Sequence, residues 1–268
     1  MRQQSSVARL LSSAAVAAIL AISLGGCQTM SDITGSVTAK AESSPDSDPR
    51  RSVEVYGERY RANPKDADAG LRYGQALRAT GQRTQAVAVL EQATISHPGN
   101  KALLAGYGRA LADNGNFQQA FDVLTRAHSP DNPDWRILSV QGTVLDQMSR
   151  HDEARRYYDS ALKISPDEPS VLSNLGLSYV LSRDLPKAEE VLRRAFASPR
   201  ADARVRQNLG LVVGLQGRFA EAETIVKADL PAEEATANVT YLKQMLARKD
   251  NPRTGAGTVP VAALSHPD

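Results

Sequence analysis

The chain of 268 residues has one cysteine, Cys27, so no disulfide within the chain can brace it. Histidines are few. His97, His128, His151 and His266 are scattered, and none has a second histidine or a cysteine at metal-ligand spacing. There is no glycine-rich phosphate loop and no nucleophile elbow, so no group of converging side chains points to catalysis. Aromatic residues make up only 5%, and no basic, aromatic-interleaved patch of the kind that binds nucleic acid is present. Neither charge sign dominates, with 32 basic and 30 acidic residues. Apolar runs are short too: the longest, Leu10 to Leu24, covers 15 residues, whereas a membrane-spanning helix needs about 20. The sequence predicts a protein with no cofactor, metal or small-molecule substrate, and not an enzyme.

What the chain does have is a strict repeat. Gly74, Gly108, Gly142, Gly176 and Gly210 stand 34 residues apart, and Ala86, Ala120, Ala154, Ala188 and Ala222 each follow by twelve. Residues such as Leu172, Leu175, Gly176 and Tyr179, spaced by three and four, share one face of a helix. A glycine inside a helix costs about 1 kcal/mol relative to alanine. Five in register therefore imply a compensating gain where two helices cross closely. Turns are expected at Thr80-Gly81, Asn114-Gly115 and Gln216-Gly217. Prolines such as Pro98 and Pro166 should stop the second helix of their units. No single helix pair can bury its own apolar face, so the units must stack.

The period and the marks Tyr73-Gly74, Leu77, Ala86, Leu90, Ala93 and Pro98, with their later copies, resemble the tetratricopeptide repeat (TPR) family. The resemblance implies an all-α fold, a right-handed solenoid of helix–turn–helix repeats at 67–100, 101–134, 135–168, 169–202 and 203–236. The fifth copy departs from the pattern: Asp229 replaces the last alanine and Pro231 falls early, as in a terminal unit. Residues 51–66 fit the second helix of an incomplete leading repeat, with Tyr56 and Tyr60 facing in. Residues 237–248 fit a capping helix, and 249–268, rich in Gly, Pro and Thr, a flexible tail.

In TPR proteins the positions three before and one, four and five after the glycine face a concave groove. Carried onto this chain, they place Arg78, Arg109 and Asp113 at the polar N-terminal end, and Ser139 and Asp146 in the middle. Leu177, Leu181, Leu211 and Leu215 come at the apolar C-terminal end. Asn174 and Asn208, two before their glycines, are either repeat consensus or amides placed to bracket an extended peptide. The leucines are open either to a partner or to cover by the chain's own last helix.

The N-terminus suggests a compartment. Arg2 and Arg9 with no acid, a short apolar core and Leu24-Gly25-Gly26-Cys27 form the layout of a secretory signal. The last four residues resemble the lipobox of bacterial lipoproteins, which implies cleavage of 1–26 and lipidation of Cys27. Gln28 at the second mature position, rather than aspartate, implies by the same resemblance the periplasmic face of the outer membrane. Residues 27–50 then form a solvated tether. Removing Arg2 and Arg9 leaves 32 − 2 = 30 basic against 30 acidic residues. Signal, lipobox, tether and repeats together resemble the TPR lipoproteins of tight-adherence (Flp) pilus systems. That implies a non-catalytic scaffold for envelope protein partners such as a secretin. Type IV pilus pilotins and adaptors of cell-wall hydrolases share the layout.

Overall fold

The computed structural model describes residues 48–250. The expected signal segment 1–26, Cys27 with nearly all of the expected tether, and the expected tail from 251 lie outside the described residues. Twelve helices follow one another: α1 (Pro49–Ala62), α2 (Ala67–Ala79), α3 (Arg83–Ser96), α4 (Lys101–Asp113), α5 (Phe117–Ala127), α6 (Trp135–Gln147), α7 (His151–Ile164), α8 (Pro169–Leu181), α9 (Leu185–Phe196), α10 (Ala203–Leu215), α11 (Phe219–Val226) and α12 (Ala232–Asp250).

The periodic glycines explain the pairing within each unit. A methyl group on Gly74, Gly108, Gly176 or Gly210 would meet Leu90, Leu124, Leu192 or Val226 at 2.4–2.6 Å. Each glycine is therefore the socket for the bulky residue of its own second helix. The periodic alanines from Ala86 to Ala222 are all buried beside these contacts. Apolar clusters then run from unit to unit. One extends from Leu77 through Leu111 and Leu124 to Val144, so three repeats share a continuous core.

A second period of 34 appears at the unit boundaries. Asp66, Asn100, Asp134, Glu168 and Asp202 are the N-caps of α2, α4, α6, α8 and α10, and each accepts backbone N–H bonds with its side chain. The turn between the two helices of a unit needs one residue in the left-handed region. Gly81, Gly115 and Gly217 fill it, with φ of +76°, +84° and +83°, as the sequence predicts. In the third and fourth units Ser149 (φ 60°) and Arg183 (φ 64°) take the same place without glycine. That feature could not be read from composition.

The first helices α2, α4, α6, α8 and α10 touch one another in a row, while the second helices make no comparable row of contacts. The stack therefore curves with the first helices inside. Helix α1 reproduces the limits of α3 at one period earlier and packs on α2. At the other end α11 is short, and α12 begins at Ala232, five residues before the expected cap at 237. Pro231 explains both differences, since it cannot extend α11 and is well placed just before a helix start. Helix α12 leans on α10 and α11, with Leu242 filling the space beside Gly214. It also continues through Asp250, two residues into the segment expected as tail. Among the described residues no helix is long and apolar enough to cross a membrane.

Candidate functional site: the groove of the first helices

The inner row of helices carries the predicted groove residues. Leu177 and Leu181 on α8, and Leu211 and Leu215 on α10, are half-buried rather than sealed in the core. Leu215 packs against the apolar cluster of the fourth and fifth units; the other three belong to none of the clusters. Helix α12 meets α10 through Gly214, which leaves the Leu177–Leu181–Leu211 wall partly open.

Asn174 and Asn208 have partners within the array. Asn174 Nδ2 donates to Ser139 Oγ at 3.1 Å, and Asn208 Nδ2 donates to Ser173 Oγ at 2.8 Å. Each bond links a first helix to its predecessor, 35 residues back. Asn208 is buried at 5% exposure. The geometry makes these amides staples between repeats.

Asp146 also differs from the groove-facing expectation. It is buried at 7% exposure and holds three elements together. Its Oδ1 accepts from Ser178 Oγ of α8 (2.8 Å) and pairs with His151 Nδ1 of α7 (2.8 Å). Its Oδ2 accepts from the hydroxyl of Tyr158 (2.9 Å), which in turn reaches Thr143 Oγ1 (3.4 Å). Burial pushes the Asp146 pKa above its ordinary value, and the bonds from His151, Ser178 and Tyr158 pull it back in part. Burial likewise raises the Tyr158 phenol, with the Asp146 charge adding to it. No signal in the sequence joins these residues, because Ser178 lies 32 positions from Asp146.

At the N-terminal end, Arg78 Nε donates to Asp113 Oδ2 at 2.6 Å, across adjacent repeats. Arg109, half-buried on α4, takes part in no hydrogen bond or ion pair among the described residues. Burial lowers its pKa from the usual arginine range, helped by the nearby positive charges of Arg78 and Arg136, while the carboxylates of Asp134 and Asp113 pull it back in part. Other arginines without a partner there, such as Arg83, Arg126, Arg156 and Arg204, are exposed. No group of three or more His, Cys, Asp or Glu suited to a metal occurs among the described residues.

Comparison with known proteins agrees with this architecture. The family model "Tetratricopeptide repeat" matches residues 71–134 and 139–202. The crystal structure of the APC/C hetero-tetramer Cut9-Hcn1 superposes with a TM-score of 0.62 at 17% identity, covering 78% of this chain and 41% of that one. TTC0263, a thermophilic TPR protein of Thermus thermophilus, gives 0.58 at 19% identity, over 68% of this chain and 99% of that one. The described residues fold as a tetratricopeptide-repeat array, all-helical with twelve packed helices, and the family model matches somewhat less than half of the chain. Curated relatives include the human protein O-mannosyl-transferase TMTC1, 21% identical over 64% of this chain. The lipopolysaccharide assembly protein B of Escherichia coli K12 is 22% identical over 64% of it. The cytochrome c-type biogenesis protein CycH of Bradyrhizobium diazoefficiens is 30% identical over 52% of it. The chain spans 20%, 46% and 37% of these relatives' lengths, respectively. Such arrays are protein-interaction scaffolds, and of these relatives one is named for lipopolysaccharide assembly and one for cytochrome c-type biogenesis.

Proposed function

We propose that the chain is a non-catalytic scaffold, anchored by a lipid on Cys27 to the periplasmic face of the outer membrane, that binds a protein component of an envelope machine. Within that class the reading that fits best is assembly of a tight-adherence (Flp) pilus, in the manner of TadD-type lipoproteins, with an outer-membrane secretin or another pilus component as the partner. The observation that carries it is the run Leu24-Gly25-Gly26-Cys27, which resembles a lipobox, ahead of a TPR array whose groove residues are only half-buried. The relatives named for lipopolysaccharide assembly and cytochrome c biogenesis support a role in building other complexes. A lipid anchor fits this role, since acyl chains add about 0.8 kcal/mol of membrane affinity per buried CH₂ and more than one chain holds a protein stably.

The test is a Cys27→Ser variant in the native cell. It is expected to lose labelled fatty acid, to leave the outer-membrane fraction, and to reduce the secretin recovered there. Unchanged fractionation would end the anchored-scaffold reading. Normal secretin levels beside a lost anchor would end the pilus assignment alone.

A further inference from the structure

The groove-facing positions of the five repeats carry two carboxylates, Asp113 and Asp146, and two guanidinium groups, Arg78 and Arg109. Asp113 is taken by Arg78. Asp146 is buried and bonded to His151, Ser178 and Tyr158. Arg109 makes no hydrogen bond or ion pair among the described residues, and the carboxylates near it are engaged elsewhere, Asp113 by Arg78 and Asp134 by the Arg136 backbone N–H and guanidinium. Farther along, Leu177 and Leu211 are half-buried and belong to none of the apolar clusters. The groove is thus cationic at one point and apolar at another, with its own acids already committed.

We infer that the groove takes an extended segment of a partner protein that has an acidic residue for Arg109 and two apolar residues for Leu177 and Leu211. Charge complementarity selects the acid: a half-buried guanidinium gains charge-assisted, bidentate bonds from a carboxylate, which a neutral or basic side chain cannot provide. The row of touching first helices sets the spacing. Axes of packed helices lie about 8–10 Å apart, so Arg109 on α4 and Leu177 on α8, two helices on, are separated by about 16–20 Å. An extended chain advances about 3.3 Å per residue, so the acidic residue and the first apolar residue stand about five or six residues apart. A second apolar residue for Leu211 follows about three residues later.

This inference rests on the scaffold reading, and its test is independent of membrane location. The probe is a fluorescein-labelled peptide with an acidic pair, a serine spacer and two leucines at these spacings, titrated into the full chain by anisotropy. A control peptide has lysines in place of the acids. The acidic peptide is expected to bind at least tenfold more tightly than the control, with affinity falling as salt rises. Arg109→Ala should weaken it about tenfold, and Leu177→Asp with Leu211→Asp should abolish it while the melting temperature stays near that of the parent. Arg109→Glu should reverse the preference toward the lysine peptide, an outcome that unfolding cannot mimic. Equal binding of both peptides, or an unchanged affinity in Arg109→Ala, would overturn the inference. So would binding seen only after removal of residues 251–268, because the groove would then hold the chain's own segment. Failure here beside an intact Cys27→Ser result removes the ligand chemistry and leaves the scaffold; the reverse pattern removes the anchor and leaves the groove.

Discussion

Tyr158 stands so close over Gly142 that a methyl group on the glycine would lie 2.5 Å from the ring's Cε1. The ring cannot step aside without cost, because its hydroxyl donates to the buried Asp146 at 2.9 Å. The helix crossing in the middle repeat and the buried polar network are therefore one mechanical unit. Gly142→Ala should destabilise the array by about 1–3 kcal/mol, the usual range for overpacking, and Gly142→Leu by more. Thermal melts check this. An unchanged melting temperature would mean that α6 and α7 do not cross at this glycine.

Removing the acceptor instead of crowding the crossing gives a second prediction. Asp146→Ala leaves the hydroxyls of Tyr158 and Ser178 without their principal acceptor in buried surroundings. Each unmet buried donor costs about 1–3 kcal/mol, so a loss of at least about 2 kcal/mol is expected in urea unfolding. Ser178→Ala should cost less, because the carboxylate keeps two other donors. If the two variants proved equally mild, the network would be a by-product of packing and not a support.

The turn at Ser149 predicts an improvement. A left-handed conformation is unfavourable for any residue with a side chain, by roughly 1–2 kcal/mol, and glycine relieves it at some cost in unfolded-chain entropy. Ser149→Gly should therefore stabilise the array by up to about 1 kcal/mol, whereas the mirror change Gly115→Ser should destabilise it by a similar amount. Chemical denaturation of the pair reads both signs at once.

Acid sensitivity should centre on Glu189. It accepts from Gln216 Nε2 and Arg193 Nε, both at 2.8 Å, and pairs with Arg218, joining α9 to the turn of the next repeat. The Arg218 bond, ahead of those from Gln216 and Arg193, lowers its pKa from 4.5 to about 2. A folded-state pKa below the unfolded one means stability that is fully present above pH 4.5 and is lost as the pH falls toward about 2. Glu189→Gln should flatten that part of the stability profile and lower stability at neutral pH. Melting temperatures followed from neutral pH into that window test it. Asp146, shifted the other way by burial, contributes the opposite slope, so the comparison must be made between variant and parent.

The architecture could be read in the sequence because each repeat poses the same local problem. A glycine must receive a large side chain sixteen or so residues later, and an alanine must sit beside it, so a strict interval of 34 announces the pairing. The N-caps from Asp66 to Asp202 follow the same interval, since each repeat opens its first helix in the same way. That Leu177 and Leu181 share one side of α8, and Leu211 and Leu215 one side of α10, also followed from helical spacing, whereas whether that side is covered did not.

Other features were settled only when the units stacked. Whether Asn174 and Asn208 meet a ligand or the neighbouring helix depended on Ser139 and Ser173, a full repeat away. Asp146 shares its groove-facing register with Arg78, yet Ser178 and Tyr158 enclose it and Arg78 stays partly exposed to pair with Asp113. Ser149 and Arg183 take the left-handed turn that glycine fills in the other units. The sequence by itself determined the unit, its count and its order, because these arise from short-range periodicity. Only the tertiary structure decided which polar side chains are spent between repeats and which, like Arg109, are left to face the groove, because hydrogen bonds and burial depend on atoms brought together from distant parts of the chain.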